Sequence, residues 1–280
     1  RYLINEKSSF KAAVTYNNQY IHLVSNSTST LPTDLWMPST KLVQPQRGIQ
    51  YSAGYFRNFK KDEIETSVEV YYKDMKNQIE YTDGYTPSIG QNIESYFTFG
   101  DGISYGAEFF INKKVGDLTG WIGYTWSKTY RQFDEINNGD IFPTKFDRRH
   151  DLSVVLGYDL GKRIKLGACF VYGSGNALTL PSSRYFIEQT VVNEYGPRNG
   201  FRLTDYHRLD ISMTLFGKPE KKKKIESNWV FAVYNVYNRR NPYFLYFSNE
   251  GNIFEGDLEI KAKQVSLFPI IPSITWNFKF

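Results

Sequence analysis

Residues Ser266 to Phe280 read SLFPIIPSITWNFKF, and the second half alternates until it stops on an aromatic. Ile274, Trp276, Phe278 and Phe280 fall on one side; Ser273, Thr275, Asn277 and Lys279 fall on the other. At the two-residue side-chain period this is a strand with one apolar and one polar face. In water, an aromatic-faced terminal strand is a sticky edge. In a closed barrel that spans a membrane, the apolar face meets lipid and closure removes the edge. The stretch therefore points to an all-β fold, a transmembrane antiparallel up-and-down β-barrel.

Composition fits that reading. Mean hydropathy is −0.48, as in a soluble protein, yet 17% of the 280 residues are Phe, Trp or Tyr. A polar lumen face cancels a lipid face in any average, while interfacial girdles raise the aromatic content. No stretch approaches the run of roughly 18 apolar residues that a membrane helix needs, whereas a tilted strand crosses in roughly 9 to 11.

The net charge of +5 does not imply a nucleic-acid partner, because the basic residues are spread over turns. The strongest run, Lys221 to Lys224, lies in GKPEKKKKIES between two expected strands and reads as a solvated turn. One cysteine, Cys169, permits no intrachain disulfide and leaves the redox compartment open. RYLINEK at the start has neither a charged n-region nor an apolar h-region, so a signal peptide is expected upstream or already removed.

Periodicity predicts ten strands, at about 8–24, 49–59, 63–81, 102–113, 117–133, 148–160, 163–174, 205–217, 227–238 and 262–280. Their connections alternate. Tight ones run from Lys60 to Asp62, Lys114 to Gly116, Gly161 to Lys162 and, somewhat longer, Lys218 to Glu226. Long ones, rich in Gly, Pro, Asn, Ser and Tyr, occupy about 25–48, 82–101, 134–147, 175–204 and 239–261. Short periplasmic turns alternating with long extracellular loops are the pattern of a membrane meander.

Faces follow from the same period. Ile64, Thr66, Val68, Val70 and Tyr72 share one face; Glu63, Glu65, Ser67, Glu69, Tyr71 and Lys73 share the other. Carboxylates in register do not face lipid, so Glu65 and Glu69 are assigned to the lumen. The same reasoning places Asp151, Ser153 and Asp159 inside opposite Leu152, Val154, Leu156, Tyr158 and Leu160. Ile164, Leu166, Ala168, Phe170 and Tyr172 face outward. So do Leu209, Ile211, Met213 and Leu215, opposite Arg208, Asp210, Ser212 and Thr214.

The terminal segment resembles the C-terminal assembly signal of bacterial outer-membrane barrels, carried here by Ile274, Trp276, Phe278 and Phe280. FDRRHDL (146–152), YHRLDISMTLFGK (206–218), VYNVYNRRNPYF (233–244) and LPTDLWMPS (31–39) followed by PQRGIQYSAGYF, together with the terminal LFPIIPSITWNFKF, resemble the C-terminal half of a TonB-dependent outer-membrane receptor of the Bacteroidetes type. That resemblance implies a 22-stranded plugged barrel, of which residues 1–280 are the C-terminal part, and import of a scarce nutrient. Barrels of 22 strands do carry a plugged lumen. It further implies as partners the lipid bilayer, N-terminal barrel strands and a plug expected outside this chain, and TonB through that missing part. The outer-membrane assembly machinery and, in some members, a surface lipoprotein lid are also implied. RYLI followed by Asn5, Glu6 and Lys7 reads as the tail of an earlier strand and its turn.

His150 near Asp147 and Asp151, and His207 near Asp205 and Asp210, could form a catalytic dyad in a small barrel. Both clusters read more simply as rim ion pairs, Arg148 and Arg149 with Asp151 and Arg208 with Asp210. His22, His150 and His207 lack metal-ligand spacing, and GDGISYG and YGSGNA precede no helix and read as turns. No catalytic residue, metal or cofactor is expected. The alternatives are a self-contained small barrel acting as a passive pore or surface protease, and a soluble β-rich binding domain. Ligand contacts are expected on the long loops, at Trp36, Tyr81, Tyr85, Tyr185, Tyr195, Tyr243 and Tyr246, for a glycan, siderophore, cobalamin or peptide.

Overall fold

The computed structural model describes residues 1–24, 35–82, 92–187, 190–218, 226–251 and 259–280. Eleven strands follow one another along one antiparallel path: β1 (Tyr2–Asn5), β2 (Ser8–Gln19), β3 (Gln46–Phe59), β4 (Ile64–Tyr81), β5 (Phe97–Lys113) and β6 (Leu118–Gln132). The path continues through β7 (His150–Leu160), β8 (Ile164–Gly173), β9 (Tyr206–Phe216), β10 (Glu226–Tyr234) and β11 (Ile271–Lys279). Each strand pairs with its neighbour in this order, an up-and-down meander, and Phe142–Pro143 adds a short pairing to β6.

Register carries the two faces across the whole sheet. Gly54, Glu69, Glu108, Thr125, Asp151 and Gly173 stand opposite one another from β3 to β8. One residue away, on the other face, Val68, Phe109, Tyr124, Leu152, Tyr172 and His207 do the same from β4 to β9. At the turn end Leu160, Ile164, Leu215, Trp229 and Trp276 line up on that second face. A one-residue slip at any strand would mix the faces. The face assignments made from the sequence agree with this register. A cavity of about 530 Å³ opens on the polar face, lined by Ser9, Lys11, Phe56, Glu65, Glu69 and Glu108 among others.

The β3–β4 turn closes without glycine. Lys60, Lys61 and Asp62 all take positive φ, 50°, 55° and 69°, and Asp62 accepts a 2.8 Å hydrogen bond from Asn58 Nδ2. Its left-handed backbone is costly for ordinary side chains.

The structure corrects several boundaries. The expected strand 8–24 splits: Ile21–Val24 leaves the sheet to pair with Leu35–Pro38, because Val24 buries in a loop-end core with Val43, Ile79, Tyr81 and Phe97. The expected strand 262–280 also splits. Glu259–Val265 pairs with Phe244–Glu250, and Phe268 at φ 55° turns the chain before β11. The strand expected at 227–238 stops at Tyr234, since Asn235 and Asn238 both turn left-handed at φ 53°. Loop 175–204 holds two further pairings, Ala177–Leu178 with Phe201–Arg202 and Pro181–Ile187 with Thr190–Tyr195. The most buried apolar side chains, including Phe133, Ile136 and Phe142, lie at the loop end. A sheet with lipid on one face and a lumen on the other has no core of its own.

Candidate functional site

A bulge in β4 shapes the mouth at the loop end. The β4–β5 register steps between Met75 and Gln78, where Asn77 adopts φ 56°. The inserted residue switches which side chains point to the polar face. Before it the odd residues Glu65, Glu69, Tyr71 and Lys73 do; after it Gln78 and Glu80 do, opposite Gly100 and Thr98.

Glu80 is thereby presented to two arginines. Arg131 Nη1 on β6 donates to its Oε1 at 2.6 Å and Arg198 Nη2, from loop 175–204, to its Oε2 at 3.3 Å. Neighbouring contacts hold the same loop segment down. Arg198 N donates to Asn137 Oδ1 at 3.1 Å and Asn199 Nδ2 to the Pro143 carbonyl at 2.8 Å. Arg202 donates to both the carboxylate and the carbonyl of Asp147. The Asp147 side chain is fully covered, and its Oδ1 accepts Thr129 N at 2.7 Å. A buried carboxylate with a guanidinium and a backbone N–H satisfies the pairing that burial demands. Residues 198–203 thus form a strap fixed across the mouth, and the Pro181–Tyr195 hairpin rises from it.

A second hub joins β9, β10 and the turn at Phe268 that leads into β11. Arg208 donates to both oxygens of Asp210 at 3.0 and 2.9 Å and to the hydroxyls of Tyr206 and Tyr234, lying 4.1 Å from the Tyr234 ring centre. Asn235, wholly buried, receives Arg239 N and donates to the carbonyls of Arg239 and Phe268. Beside it the Tyr172 hydroxyl, at 2.7 Å, holds the Asp205 carboxyl below its ordinary range, aided by Gly175 N and the nearby Arg239.

The sequence-derived ligand residues divide among separate loop units. Trp36 is 65% exposed on Leu35–Pro38. Tyr185 and Tyr195 lie on the 181–195 hairpin, where Ser183 and then Tyr185 donate to Glu194 and lower its pKa. Tyr246 stacks 6.1 Å from Phe244, and Tyr243 precedes that strand with its N bonded to the Val265 carbonyl. There Lys263 and Lys261 bring Glu250 down to about 2. Tyr85 lies outside the described residues. Tyr81, expected on a loop, ends β4 and is buried 5.2 Å from Phe97.

Glu65, Glu69, Asp151, Arg208 and Asp210 all fall on the polar face. Glu65 pairs with Lys114, and Asp151 with Arg148 at 2.9 Å. Ile274, Trp276 and Phe278 share the opposite face, and Phe280, 91% exposed, follows β11. His150 and His207 point outward, bonded to the hydroxyls of Tyr124 at 2.7 Å and Tyr237 at 2.8 Å. Asp151 and Asp210 are on the other face, so neither histidine forms a dyad with them. The sequence does not single out Glu80, Arg131, Arg198, Arg202 or Asn235, and Asp147, read there beside His150, is held instead by Arg202 and Thr129 N. Their partners lie up to 118 residues apart, beyond any local spacing.

A family model described as "TonB dependent receptor-like, beta-barrel" matches residues 2–238. No curated protein matches. Among solved structures the chain is similar to the ferric-catecholate import receptor Fiu of E. coli K12, with 11% identity and a TM-score of 0.59 over 99% of this chain and 33% of that one. It is similar to the ferripyoverdine receptor of Pseudomonas aeruginosa, with 17% identity and a TM-score of 0.58 over 98% and 31%. It is also similar to the FrpB iron transporter of Neisseria meningitidis, with 12% identity and a TM-score of 0.55 over 99% and 38%. At these identities the likeness is one of fold. The chain spans about a third of the length of those structures.

Proposed function

Because this chain belongs to the TonB-dependent receptor-like β-barrel family of the bacterial outer membrane, we propose that it forms part of the barrel wall of an energy-coupled nutrient importer. The apolar face meets lipid. The polar face lines a lumen filled by a plug, and a ligand is captured by the loops above the strap. The surface residues for capture are Trp36, Tyr185, Tyr195, Tyr243 and Tyr246, for a glycan, siderophore, cobalamin or peptide.

One observation carries the reading. Glu69 and Glu108 stand directly opposite each other on β4 and β5 around the polar-face cavity, and among the described residues neither has an ion-pair partner. Like charges directly opposite across a strand pair are destabilising. A cation supplied by a plug segment would offset that repulsion.

The test is the intact mass of the natively extracted protein containing this chain. The expected species is a polypeptide or stable complex near three times 32.6 kDa. A lone folded species of 32.6 kDa would contradict the reading and favour a small passive barrel.

A further inference from the structure

The hairpin of Pro181–Ile187 and Thr190–Tyr195 stands on a base whose two arms are bonded to each other. Gly196 N donates to the Leu180 carbonyl and Asn199 N to Thr179 Oγ1, both at 3.0 Å. Nearer the wall, Ala177–Leu178 pairs with Phe201–Arg202, so both arms enter one block together. The base meets the wall and the neighbouring loops through Arg198, Asn199 and Arg202.

The two charged contacts differ in what opening them costs. Arg202 holds Asp147, whose side chain is wholly covered, so parting them strands a buried carboxylate. Arg198 instead shares Glu80 with Arg131, and its bond is the longer of the two, 3.3 Å against 2.6 Å. When Arg198 leaves, Glu80 keeps Arg131, and no carboxylate is left bare. Glu80 and Arg198 are also 16% and 20% exposed, so water reaches both as they part. Between the two contacts Asn199 takes φ 52° and Gly200 N closes a turn on the Pro197 carbonyl at 3.0 Å. A few residues between two attachments are where a backbone rotation is absorbed.

We propose that the hairpin is a lid, hinged on the block that Arg202 fixes to Asp147 and latched by Arg198 on Glu80. Glu80 is then the positioning residue for Tyr185 and Tyr195. Its carboxylate lies on the polar face of β4, so an outer loop takes its pose from a group on the inner wall. The inference rests on the proposed function only where it gives those tyrosines to ligand capture.

The test measures distances by pulsed electron resonance in the full receptor, made cysteine-free with Cys169→Ser here and spin-labelled at Tyr185→Cys and Glu135→Cys. Both label positions are exposed. Wild type should show one main distance. Glu80→Gln should raise the ratio of unlatched to latched hairpin by roughly fivefold or more, and Arg198→Gln should do the same. The double variant should add nothing further, because two residues that act through one contact are not additive. Unchanged distances in Arg198→Gln, which leaves Glu80 with Arg131, would overturn the proposal even where Glu80→Gln fails to assemble. Additive effects would also overturn it, since Glu80 would then act on the hairpin by another route. These distances do not depend on transport, so uptake that survives collapse of the proton-motive force would end the importer reading and leave the latch standing.

Discussion

Glu69 on β4 and Glu108 on β5 are direct cross-strand partners on the polar face. With Glu65 and Lys11 they line one cavity on that face. If a plug cation sits between the two glutamates, as proposed, their neutralisation has opposite signs in two contexts. In the full receptor, Glu69→Gln or Glu108→Gln should lower the thermal midpoint. In a barrel expressed without its plug, the same change should raise stability by roughly 0.2–1 kcal/mol. Thermal unfolding of the four samples checks this, and a rise in both contexts would remove the plug contact.

Face assignment is tested by one adjacent pair on β7. Val154 lies on the apolar face and Ser153 on the polar one. Val154→Arg should cost roughly 2–4 kcal/mol if it lies near the bilayer midplane, while Ser153→Arg should be tolerated. Heat-modifiable mobility of membrane-extracted protein reads folded barrel, and the reverse order would invert the two faces.

The strap should loosen when Arg202 is lost. Arg202→Ala leaves the covered Asp147 carboxylate with Thr129 N as its remaining described partner. The expected cost is roughly 1–3 kcal/mol. It falls short of the cost of breaking a fully buried pair because Arg202 is itself 32% exposed. Limited proteolysis should then cut within 175–204 faster than in wild type, with the barrel intact.

Acid should act first on the loop end. His22 is fully buried, and its ring bonds to Ser39 Oγ at 3.0 Å and Gln46 Nε2 at 3.1 Å. Burial lowers its pKa from the ordinary 6.5, so the folded state holds it neutral while the unfolded chain protonates near 6.5. Its contribution is fully present above that value and is lost as pH falls through the lower folded value. The protection of Ile21–Val24 amides against hydrogen exchange, taken relative to the intrinsic exchange rate at each pH, should therefore fall below pH 6.5. His22→Gln should flatten that dependence.

A second, lower window belongs to the 244–265 hairpin. Lys263 and Lys261 bring Glu250 from 4.5 to about 2. Its support of the hairpin is present above 4.5 and lost as pH falls toward 2. These side chains are about half exposed, so salt should weaken the effect. Hydrogen exchange of 244–250 at low and high salt reads it.

The two faces and most of the meander were legible because they rest on the two-residue period, as in Val68 against Glu69 or Leu152 against Asp151. Residues 262–265 read as part of the terminal strand because they continue its alternation, while 259–261 read as loop. Their pairing with Phe244–Glu250 is a long-range choice that periodicity does not encode. The parity change at Asn77 was hidden for a related reason, since a bulge is defined by the partner strand. The mouth was least legible of all: Glu80 reaches the polar face through that bulge and meets Arg198 from a loop 118 residues away. Rim pairs close in sequence, Arg148 with Asp151 and Arg208 with Asp210, were found.

The central claim, that this wall belongs to an energy-coupled importer, is tested most directly by uptake in intact cells. A strain with the receptor and a matched deletion strain would be offered labelled ferric siderophores, cobalamin, glycans and peptides, with the proton-motive force intact or collapsed. The expected result is receptor-dependent accumulation of one ligand class that stops when the force collapses. Receptor-dependent accumulation that continues without it would contradict the claim and make the barrel a passive pore.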